Sequence, residues 1–288
     1  MNINKDLTVI IVLYNSSEVI FNCLKYLSNF KIIVVDNGKN QKILAKLGDN
    51  NNIIKIISKN KNLGFGNAIN FAFEYINTKY FLVLNPDVII NEDSIFKLLE
   101  ISINNKNCAI SAPYIASDLD GYGLLPEKGK GILRNNEQKK SSLKLDNLKP
   151  SGNLCVDVAK GCAMLINSEH FKNVGKFSSK YFLFWEEIDL CRKFKKKGLN
   201  IIVSPDSVAH HSEGTSAKKD LKVSIIRAYY SEKSPLYYFD VKKNSIGLYK
   251  KMIKYFFRSL SYLFILNFKN SLKNIAKLFA ILMYIIIQ

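Results

Sequence analysis

Apolar runs of strand length alternate with helix-period segments through the first hundred residues. The apolar runs lie at residues 7–13, 31–35, 53–57 and 80–84. Between them, apolar residues recur at helical spacing from Ile20 to Leu27, and further helices are predicted to begin between residues 64 and 67 and to span 92–103. This alternation is typical of a mostly parallel sheet flanked by helices, so the sequence predicts an α/β fold.

The pattern is weaker in the second hundred residues. Residues 114–156 are rich in Gly, Lys, Asn and Ser with little periodicity, which indicates long loops. Regular structure is predicted to return with a strand at 161–166, a helix at 186–197 ended by Gly198, and a strand at 201–204. Loops of this length are usually functional or disordered.

Three of the predicted strands end in polar clusters. These clusters are Tyr14-Asn15, Asp36-Asn37-Gly38 and Asn85-Pro86-Asp87. Open α/β sheets bind ligands in the crevice outside the carboxyl ends of their strands. We therefore expect several of these side chains to converge on one ligand site.

Two interpretations of Asp36 are open. An acid at the end of a buried strand can accept hydrogen bonds from a ribose hydroxyl or a base edge. Asp-Asn-Gly is also ordinary turn chemistry, so Asp36 can be a turn residue. Gly64-Phe65-Gly66 does not fit a dinucleotide fingerprint, because it follows the third strand and Ile69 stands where the last glycine is needed. A nicotinamide dehydrogenase is disfavoured.

Asp87 and the histidine pair are candidates for binding a cation. Asp87 can hold a hard divalent cation while a substrate diphosphate supplies further oxygens, or it can cap a tight turn. His210 and His211 can ligate a metal through a neutral ring nitrogen or cap a loop. Residues 211–216 have the form H-x-x-G-x-S, which suits a loop around a phosphate.

Three carboxylates open the helix predicted at 186–197. Glu186, Glu187 and Asp189 fall in its first turn, where acids complement the helix dipole whatever their function. The aromatic stretch at 181–185 immediately precedes them. Apolar surroundings raise the pKa of a carboxyl group toward the range useful for a general base, which favours a catalytic role.

Composition and charge narrow the class of protein. The 288 residues carry a net charge of +18, of which residues 218–288 hold +11, with 14 Lys or Arg and three acids. The five scattered cysteines contain no C-x-x-C pair, so reduced thiols are expected. The apolar run at 7–14 is too short for a secretory signal, and no run reaches the length of a spanning helix. A cytoplasmic location is expected.

The basic C-terminal quarter is expected to form an extension. Residues 241–288 contain nine Lys or Arg and no acid, interleaved with apolar residues at roughly helical spacing. A basic amphipathic helix of this kind is typical of an interfacial membrane anchor on anionic lipid. A helix pair packed on the catalytic domain or on a second subunit is the alternative. We expect two parts, residues 1–217 and 218–288.

Taken together and in this order, the motifs resemble the inverting family 2 glycosyltransferases with a GT-A fold, and within them the bacterial rhamnosyltransferase-like branch. The resemblance covers residues 7–244. It rests on Tyr14-Asn15, Val35-Asp36-Asn37, the segment 62–70, Leu84-Asn85-Pro86-Asp87, the segment 161–166, the helix start at 186–191 and the His211 loop.

The resemblance implies a GT-A sheet that binds a nucleotide and a set of site residues. The nucleotide of the donor sugar is expected at Tyr14, Asn15, Asp36, Asn62, Gly64, Asn67 and Asn85. Asp87 takes the place of the last acid of the D-x-D motif and, with His211, is expected at a divalent metal, Mg²⁺ or Mn²⁺. The catalytic base falls on Glu187, with Glu186 or Asp189 as alternatives if the register shifts.

These features predict an inverting, metal-dependent glycosyltransferase. It would move a hexose such as rhamnose from a dTDP- or UDP-linked donor onto a growing cell-surface glycan, for example one carried on a lipid, at the inner face of the cytoplasmic membrane. Two alternatives stay open. One is an inactive GT-A scaffold, and the other is a nucleic-acid-binding protein, although the basic end lacks a motif that reads nucleic acid, so no nucleic-acid partner is expected.

Overall fold

The computed structural model describes residues 6–14, 18–38, 40–59, 61–116, 122–126, 151–212 and 220–287. The chain divides into two compact units. The sheet unit comprises Met1–Leu125, Ser141–Ser179 and Glu186–Lys218, and the helical unit comprises Pro126–Lys140, Lys180–Trp185 and Lys219–Gln288. Lys180–Trp185 belongs to the helical unit together with the residues from Lys219 onward.

A nine-stranded sheet forms the centre of the sheet unit. Its strands are β1 (Leu7–Leu13), β2 (Lys31–Asp36), β3 (Ile53–Ser58), β4 (Tyr80–Leu84), β5 (Val88–Ile90), β6 (Cys108–Ile115), β8 (Leu154–Val156), β10 (Ala163–Asn167) and β11 (Asn200–His211). The order is β3-β2-β1-β4-β10-β6-β11-β5, and β8 pairs with β11. A separate ribbon joins β7 (Tyr122–Gly123) to β9 (Val158–Ala159).

Helices flank this sheet and were largely predicted by the sequence. They are α1 (Val19–Leu24), α2 (Gln41–Leu47), α3 (Phe65–Phe73), α4 (Glu92–Asn104), α5 (Ser168–Asn173) and α6 (Glu186–Lys196). Strands β1 to β4 are parallel. The near-continuous apolar sequences of β1, β2 and β4 are buried on both faces, whereas the edge strand β3 exposes Ile54 and Lys55. The mostly parallel α/β fold is confirmed, and the carboxyl ends of β1, β2 and β4 meet at one edge.

The second half of the sheet departs from the expectation. Strand β6 was not predicted, because Ser111 and Pro113 interrupt its apolar run; both side chains are buried. Strand β11 was expected to end at residue 204 but reaches His211. Its pairing with β6 shifts register between Ser204 and Val208, where a bulge accommodates Pro205. His211 therefore ends a strand and does not lie in a loop.

Two apolar clusters, one on each face of the sheet, hold the sheet unit together. Helix α3 illustrates how closely the second cluster is packed. A Cβ on Gly66 would lie 2.9 Å from Phe177 Cβ, so only glycine permits this approach. The Asn70 amide also exchanges two hydrogen bonds with the Phe177 backbone, at 2.8 and 3.0 Å. These contacts fix α3 and the segment before it.

Three helices make up the described part of the helical unit. They are α7 (Leu221–Tyr238), α8 (Ile246–Phe264) and α9 (Phe268–Ile286), and Asp220 caps the first of them. Their core includes Leu236, Leu248 and Ile281. Glu232 is buried there, and its carboxylate accepts hydrogen bonds from Lys251 Nζ at 2.7 Å and Tyr255 Oη at 2.6 Å, which offset its loss of hydration.

The five cysteines are all free thiols. Cys155, on β8, is exposed, and Cys23, Cys108, Cys162 and Cys191 are buried. The expectation of reduced thiols therefore agrees with the structure. In the part of the chain that the structure describes, no helix has the length and apolar content needed to cross a bilayer.

Candidate active site

Asp36 lies at the carboxyl end of β2 and organises the turn that follows. Its Oδ1 accepts hydrogen bonds from the Gly38 backbone N–H at 2.9 Å and from Asn40 Nδ2 at 2.6 Å. The side chain is 3% exposed. The sequence left two roles open for Asp36, and the structure shows the turn role directly. The two hydrogen bonds fix the backbone of the turn at the edge of the crevice.

Asn37 connects this turn to the segment that precedes α3. Its Nδ2 donates to the Gly64 carbonyl at 2.8 Å, and its Oδ1 accepts from the Leu63 N–H at 3.2 Å. Asn62 Oδ1 accepts from the Gly64 N–H at 2.9 Å, and Gly64 has φ +81°, a conformation that favours glycine. Asp36, Asn62 and Gly64 are thus brought into one cluster. Asn37 was not singled out from the sequence.

The remaining residues expected at the donor lie around the same edge. Tyr14 follows β1, whose Leu13 carbonyl accepts from the Asn37 N–H at 2.8 Å. Asn67 lies in the first turn of α3 and donates to the Leu63 carbonyl at 3.1 Å. Asn15 lies outside the described residues, as do Gly214, Thr215 and Ser216 of the expected phosphate loop.

Strand pairing brings Asp87 and His211 together. After β4 the chain turns at residues 85–87, and β5 then pairs antiparallel with β11 so that Val88 faces His211. The Ser212 N–H donates to the Asp87 carbonyl at 3.0 Å. As a result, His211 Nε2 lies 3.3 Å from Asp87 Oδ1, with both side chains buried. His210 points to the other side of the strand and is exposed.

The Asp87–His211 pair is chemically suited to a divalent cation. A carboxylate oxygen and a ring nitrogen are adjacent and enclosed, and both are donors that Mn²⁺ accepts. Among the described ranges, no group of three or more His, Cys, Asp or Glu side chains is arranged to hold a metal ion. Two protein donors would leave the remaining positions of a Mg²⁺ or Mn²⁺ ion to water and substrate phosphate oxygens.

The acid pair Glu186–Glu187 begins α6. Glu186 is buried and Glu187 is partly exposed. A Cβ added to Gly161 would lie 3.3 Å from Glu187 Cβ and 3.7 Å from its Cδ, so the Gly161 backbone lies against this side chain. The neighbouring Cys162 carbonyl accepts from the Asn85 N–H at 2.9 Å. The segment 160–162 therefore joins the acid pair to the Asp87 turn.

Burial makes both acids of the pair hold their protons more tightly. Loss of hydration raises the pKa of Glu186 well above its ordinary value, and the neighbouring Glu187 charge raises it further. The pKa of Glu187 is also raised by burial, while a backbone hydrogen bond and the Lys160 cation oppose that rise. Glu186 Oε2 has no hydrogen-bond partner among the residues described. The raised pKa values make each carboxylate a stronger proton acceptor than an exposed glutamate.

Asp189 differs from the other two acids. Its Oδ1 accepts a hydrogen bond from Arg192, and Lys193 Nζ lies 3.7 Å from its Oδ2, both from later turns of α6. Such pairs at i+3 and i+4 stabilise a helix. Its carboxylate is therefore engaged by cations on its own helix, whereas Glu187 is partly open to solvent.

Three contributors to this site were not identified as such from the sequence. Lys160 supplies the cation near Glu187, Gly161 makes room for the Glu187 side chain, and Asn37 ties two crevice segments together. Each acts on a partner more than 20 positions away in the chain. Only Gly161, a glycine at the start of a buried apolar strand, carried a local signal of close approach.

Residues 8–166 match a protein family described as glycosyl transferase family 2. Among curated proteins, the chain is 30% identical over 206 residues to the low-salt glycan biosynthesis hexosyltransferase Agl10 of Haloferax volcanii, covering 68% of this chain and 64% of the relative. It is 28% identical over 226 residues to the rhamnosyltransferase WbbL of Escherichia coli K12, covering 70% and 82%. The chain thus spans slightly less than two thirds of the archaeal relative.

Solved structures share the fold. GalNAc-T7 with UDP, GalNAc and Mn²⁺ aligns with a TM-score of 0.59 at 14% identity, over 81% of this chain and 51% of that one. The mannosyltransferase PcManGT from Pyrobaculum calidifontis, in complex with GDP-Man and Mn²⁺, aligns with a TM-score of 0.56 at 12% identity, over 98% and 73%. The predicted GT-A fold is confirmed by this likeness.

Proposed function

Because the chain belongs to glycosyl transferase family 2, we propose that it transfers a hexose, such as rhamnose, from a nucleoside-diphosphate sugar to a growing cell-surface glycan. One observation carries the proposal. The buried acid pair of α6 and the Asp87–His211 pair are connected through the short segment 160–162. A base can deprotonate the acceptor hydroxyl, and a cation-binding pair can hold an ion that neutralises the leaving diphosphate. Together the two pairs suit transfer from a diphosphate leaving group.

Glu187 is proposed as the catalytic base. It takes the proton from an acceptor hydroxyl while that oxygen forms a bond to the anomeric carbon. The bond from that carbon to the diphosphate oxygen breaks on the opposite face, with its electron pair leaving on the diphosphate, so the configuration inverts. The raised pKa of Glu187 and its partial exposure support this role. Glu186, whose pKa is raised well above its ordinary value by burial, lies beside it, and Asp189 stabilises α6.

Asp87 and His211 are proposed to hold the divalent metal, Mg²⁺ or Mn²⁺. When bound, such an ion neutralises the negative charge that grows on the leaving diphosphate. Asp87 supplies a carboxylate oxygen and His211 a ring nitrogen, held together by the β5–β11 pairing. The Mn²⁺ in the complexes of GalNAc-T7 and PcManGT supports the choice of ion.

The donor nucleotide is proposed to bind along the edge formed by the ends of β1, β2 and β4. Asp36 and Asn37 shape one side of this edge and Gly64 the other, and a dTDP- or UDP-linked sugar is the expected donor. UDP and GDP-Man in the two structural relatives support a nucleotide at this fold's crevice. Tyr14, Asn62, Asn67 and Asn85 are the further proposed contacts, with Asn15 beside them in sequence.

Metal and nucleotide binding can be measured without knowing the sugar. We expect dTDP or UDP to raise the melting temperature of the protein only with Mn²⁺ or Mg²⁺ present, since a ligand that binds the folded state stabilises it. Asp87→Ala should abolish the metal-dependent part of the shift. Asp93→Ala, at an exposed acid paired with Lys97, is the matched control and should leave it intact. An unchanged shift in Asp87→Ala would contradict the metal assignment.

Transfer itself tests the base. Glu187→Gln keeps the shape of the side chain but removes the proton acceptor, so we expect kcat to fall by roughly 10²- to 10⁴-fold with donor binding unchanged. Glu100→Gln, at an exposed acid of α4, is the control. Transfer by Glu187→Gln at the wild-type rate would move the base to another residue.

We also propose that the enzyme works at the inner face of the cytoplasmic membrane on a lipid-linked acceptor. Helix α8 exposes an apolar stripe, and Lys250, Lys254 and Arg258 form a cationic row beside it. The stripe consists of Ile246, Tyr249, Ile253, Phe256, Phe257, Leu260, Leu263 and Phe264. Apolar area and attraction to anionic lipid together give interfacial binding.

Binding to vesicles tests this location. The protein should float with vesicles that contain anionic lipid, float less with zwitterionic vesicles, and be released from the anionic ones in part by salt. Retention on DNA at the same ionic strength, without retention on vesicles, would contradict the membrane proposal and favour a nucleic-acid partner.

A further inference from the structure

Two consecutive bulky residues adopt the left-handed conformation directly before the acid pair. Phe184 has φ +66° and Trp185 has φ +71°, and Glu186 follows as the first residue of α6. Residues other than glycine rarely adopt the left-handed backbone conformation. The other positive-φ residues besides glycine in the described ranges are Lys176, Asp240 and Leu266, and none of them is next to another non-glycine residue with positive φ; Lys176 follows Gly175, which has φ +79°. Strain of this kind persists only where surrounding contacts enforce it.

Helix α7 supplies those contacts through its side chains. Ser234 Oγ donates a hydrogen bond to the Leu183 carbonyl at 2.8 Å, and the hydroxyl-bearing side chain is buried. The Trp185 ring packs against Tyr238, with ring centroids 4.9 Å apart. Phe182 stacks on Tyr230 at 4.6 Å. We call residues 182–185 together with these α7 side chains the turn clamp.

Two further contacts close the clamp. The Arg227 guanidinium lies 5.2 Å from the centroid of the Phe184 ring, and Trp185 also meets Phe239 edge-on at 5.3 Å. Every member of the turn clamp belongs to the helical unit, while the next residue, Glu186, belongs to the sheet unit. The clamp is therefore joined to the acid pair by a single peptide bond.

A helix start is oriented by the backbone that enters it. If Phe184 and Trp185 relaxed to ordinary dihedral angles, the chain would enter α6 in a different direction and displace Glu186 and Glu187. Catalytic geometry tolerates little displacement, since about 1 Å can cost about 10²-fold in rate. We propose that α7 positions the acid pair through the turn clamp, with Ser234 and Tyr238 as positioning residues; this rests on the proposed role of Glu187.

Intrinsic tryptophan fluorescence can test this proposal. Trp185 is the single tryptophan among the 288 residues, so its fluorescence reports the clamp without labelling. Ser234→Ala removes the hydroxyl that holds the Leu183 carbonyl. Ser259→Ala is the matched control, because Ser259 is also a buried serine of the helical unit, with its Oγ 2.8 Å from Ser271 Oγ.

The experiment compares full-length wild type, Ser234→Ala, Ser234→Thr and Ser259→Ala. We expect Ser234→Ala to increase acrylamide quenching of Trp185 and to lower kcat by about 10- to 100-fold, with the KM for the donor unchanged. Ser234→Thr keeps the hydroxyl and should restore both values, and Ser259→Ala should match wild type in both. Tyr238→Leu should repeat the Ser234→Ala result, and it serves if Ser234→Ala does not fold.

Three results would overturn the proposal. They are increased quenching with kcat within about twofold of wild type, a lowered kcat with unchanged quenching, and no change in either quantity. Failure of the proposed function has a different signature. In that case wild type would transfer no sugar from any donor, while the quenching difference between Ser234→Ala and Ser259→Ala would still test the clamp.

Discussion

At the scale of single residues, burial of the acid pair of α6 favours the proposed proton transfer but lowers the stability of the folded protein as pH rises. Glu186 is buried, its pKa is raised well above the ordinary value, and its Oε2 lacks a hydrogen-bond partner among the described residues. In the folded state Glu186 therefore binds a proton more tightly than in the unfolded state. The folded protein loses stability as pH rises from the unfolded pKa of Glu186 through its folded pKa.

Replacing Glu186 by Gln should remove this pH-dependent loss. The melting temperature of Glu186→Gln should exceed that of wild type by an amount that grows as pH is raised from 5 toward 8, because the penalty for ionising the buried Glu186 grows over this range. Thermal unfolding across this pH range measures it. Glu100→Gln should show no such trend, and a constant or shrinking difference for Glu186→Gln would contradict the burial argument.

Gly161 makes room for Glu187, the proposed base. A methyl group there would meet Glu187 Cβ at 3.3 Å, which is closer than nearly all observed Cβ contacts, so Glu187 would have to shift. We expect Gly161→Ala to lower kcat by about 10-fold or more while the donor KM stays unchanged. Gly152→Ala is the control, since a Cβ there meets nothing within 4 Å. Equal steady-state kinetics for the two variants would exclude a positioning effect of Gly161.

Single residues also mark the limit of what sequence predicts. Asp36, Asp87, Glu187 and His211 could be singled out because each follows a strand, opens a helix or belongs to a recognisable motif. Asn37 could not, because its role depends on Gly64, 27 positions later, and on the packing that brings β2 beside the start of α3. Long-range hydrogen bonds of this kind produce no periodic pattern in the sequence.

At the scale of elements, buried parallel strands were the easiest to predict. Strands β1, β2 and β4 are continuous apolar runs because both of their faces are covered. Strand β6 was missed because Ser111 and Pro113 break its run; Ser111 is accommodated by hydrogen bonds from neighbouring buried groups. The full length of β11 was not predicted because a bulge at Pro205 interrupts the strand. The strand pairing that brings His211 to Asp87 was not predicted for the same reason.

Helices α8 and α9 were predicted in part. Their amphipathic spacing was visible, but which apolar side chains stay exposed depends on how the helices pack with one another. On α9, as on α8, apolar residues remain exposed along one side, including Phe268, Leu272, Ile275 and Phe279. The buried faces of these helices carry small residues such as Ser259 and Ser271 beside larger ones such as Leu248 and Ile281. Two exposed apolar stripes support an interfacial role more strongly than one.

The α8 stripe should account for much of the vesicle binding. Phe257→Ser combined with Phe264→Ser should lower the partition coefficient onto anionic vesicles by about 10- to 100-fold, because both rings are exposed and lose apolar area. Ile54→Ser with Ile103→Ser removes two exposed apolar side chains of the sheet unit and should leave it unchanged. Vesicle flotation measures both. Equal losses in the two double variants would locate the interaction elsewhere.

At the scale of the whole molecule, charge and chemistry are assigned to different parts of the chain. Residues 218–288 hold +11 of the +18 net charge, whereas the acid pair and the Asp87–His211 pair belong to the sheet unit. Because most of the cations belong to a different part of the chain, attraction to an anionic surface can change without a change of residues at the proposed diphosphate site. Substitutions of exposed cations in residues 218–288, such as Lys250 and Lys254, are therefore expected to weaken membrane binding and leave turnover unchanged, whereas substitutions of Ser234 or Tyr238 are expected to lower kcat.

Of the five cysteines, only Cys155 is exposed to a thiol-reactive reagent. Burial raises the pKa of the Cys23, Cys162 and Cys191 thiols to about 12 and that of Cys108 to about 11, so these four carry almost no reactive thiolate at neutral pH. Cys155 is exposed. One equivalent of a maleimide dye would thus label β8 of the unaltered protein at one defined position, without an engineered cysteine.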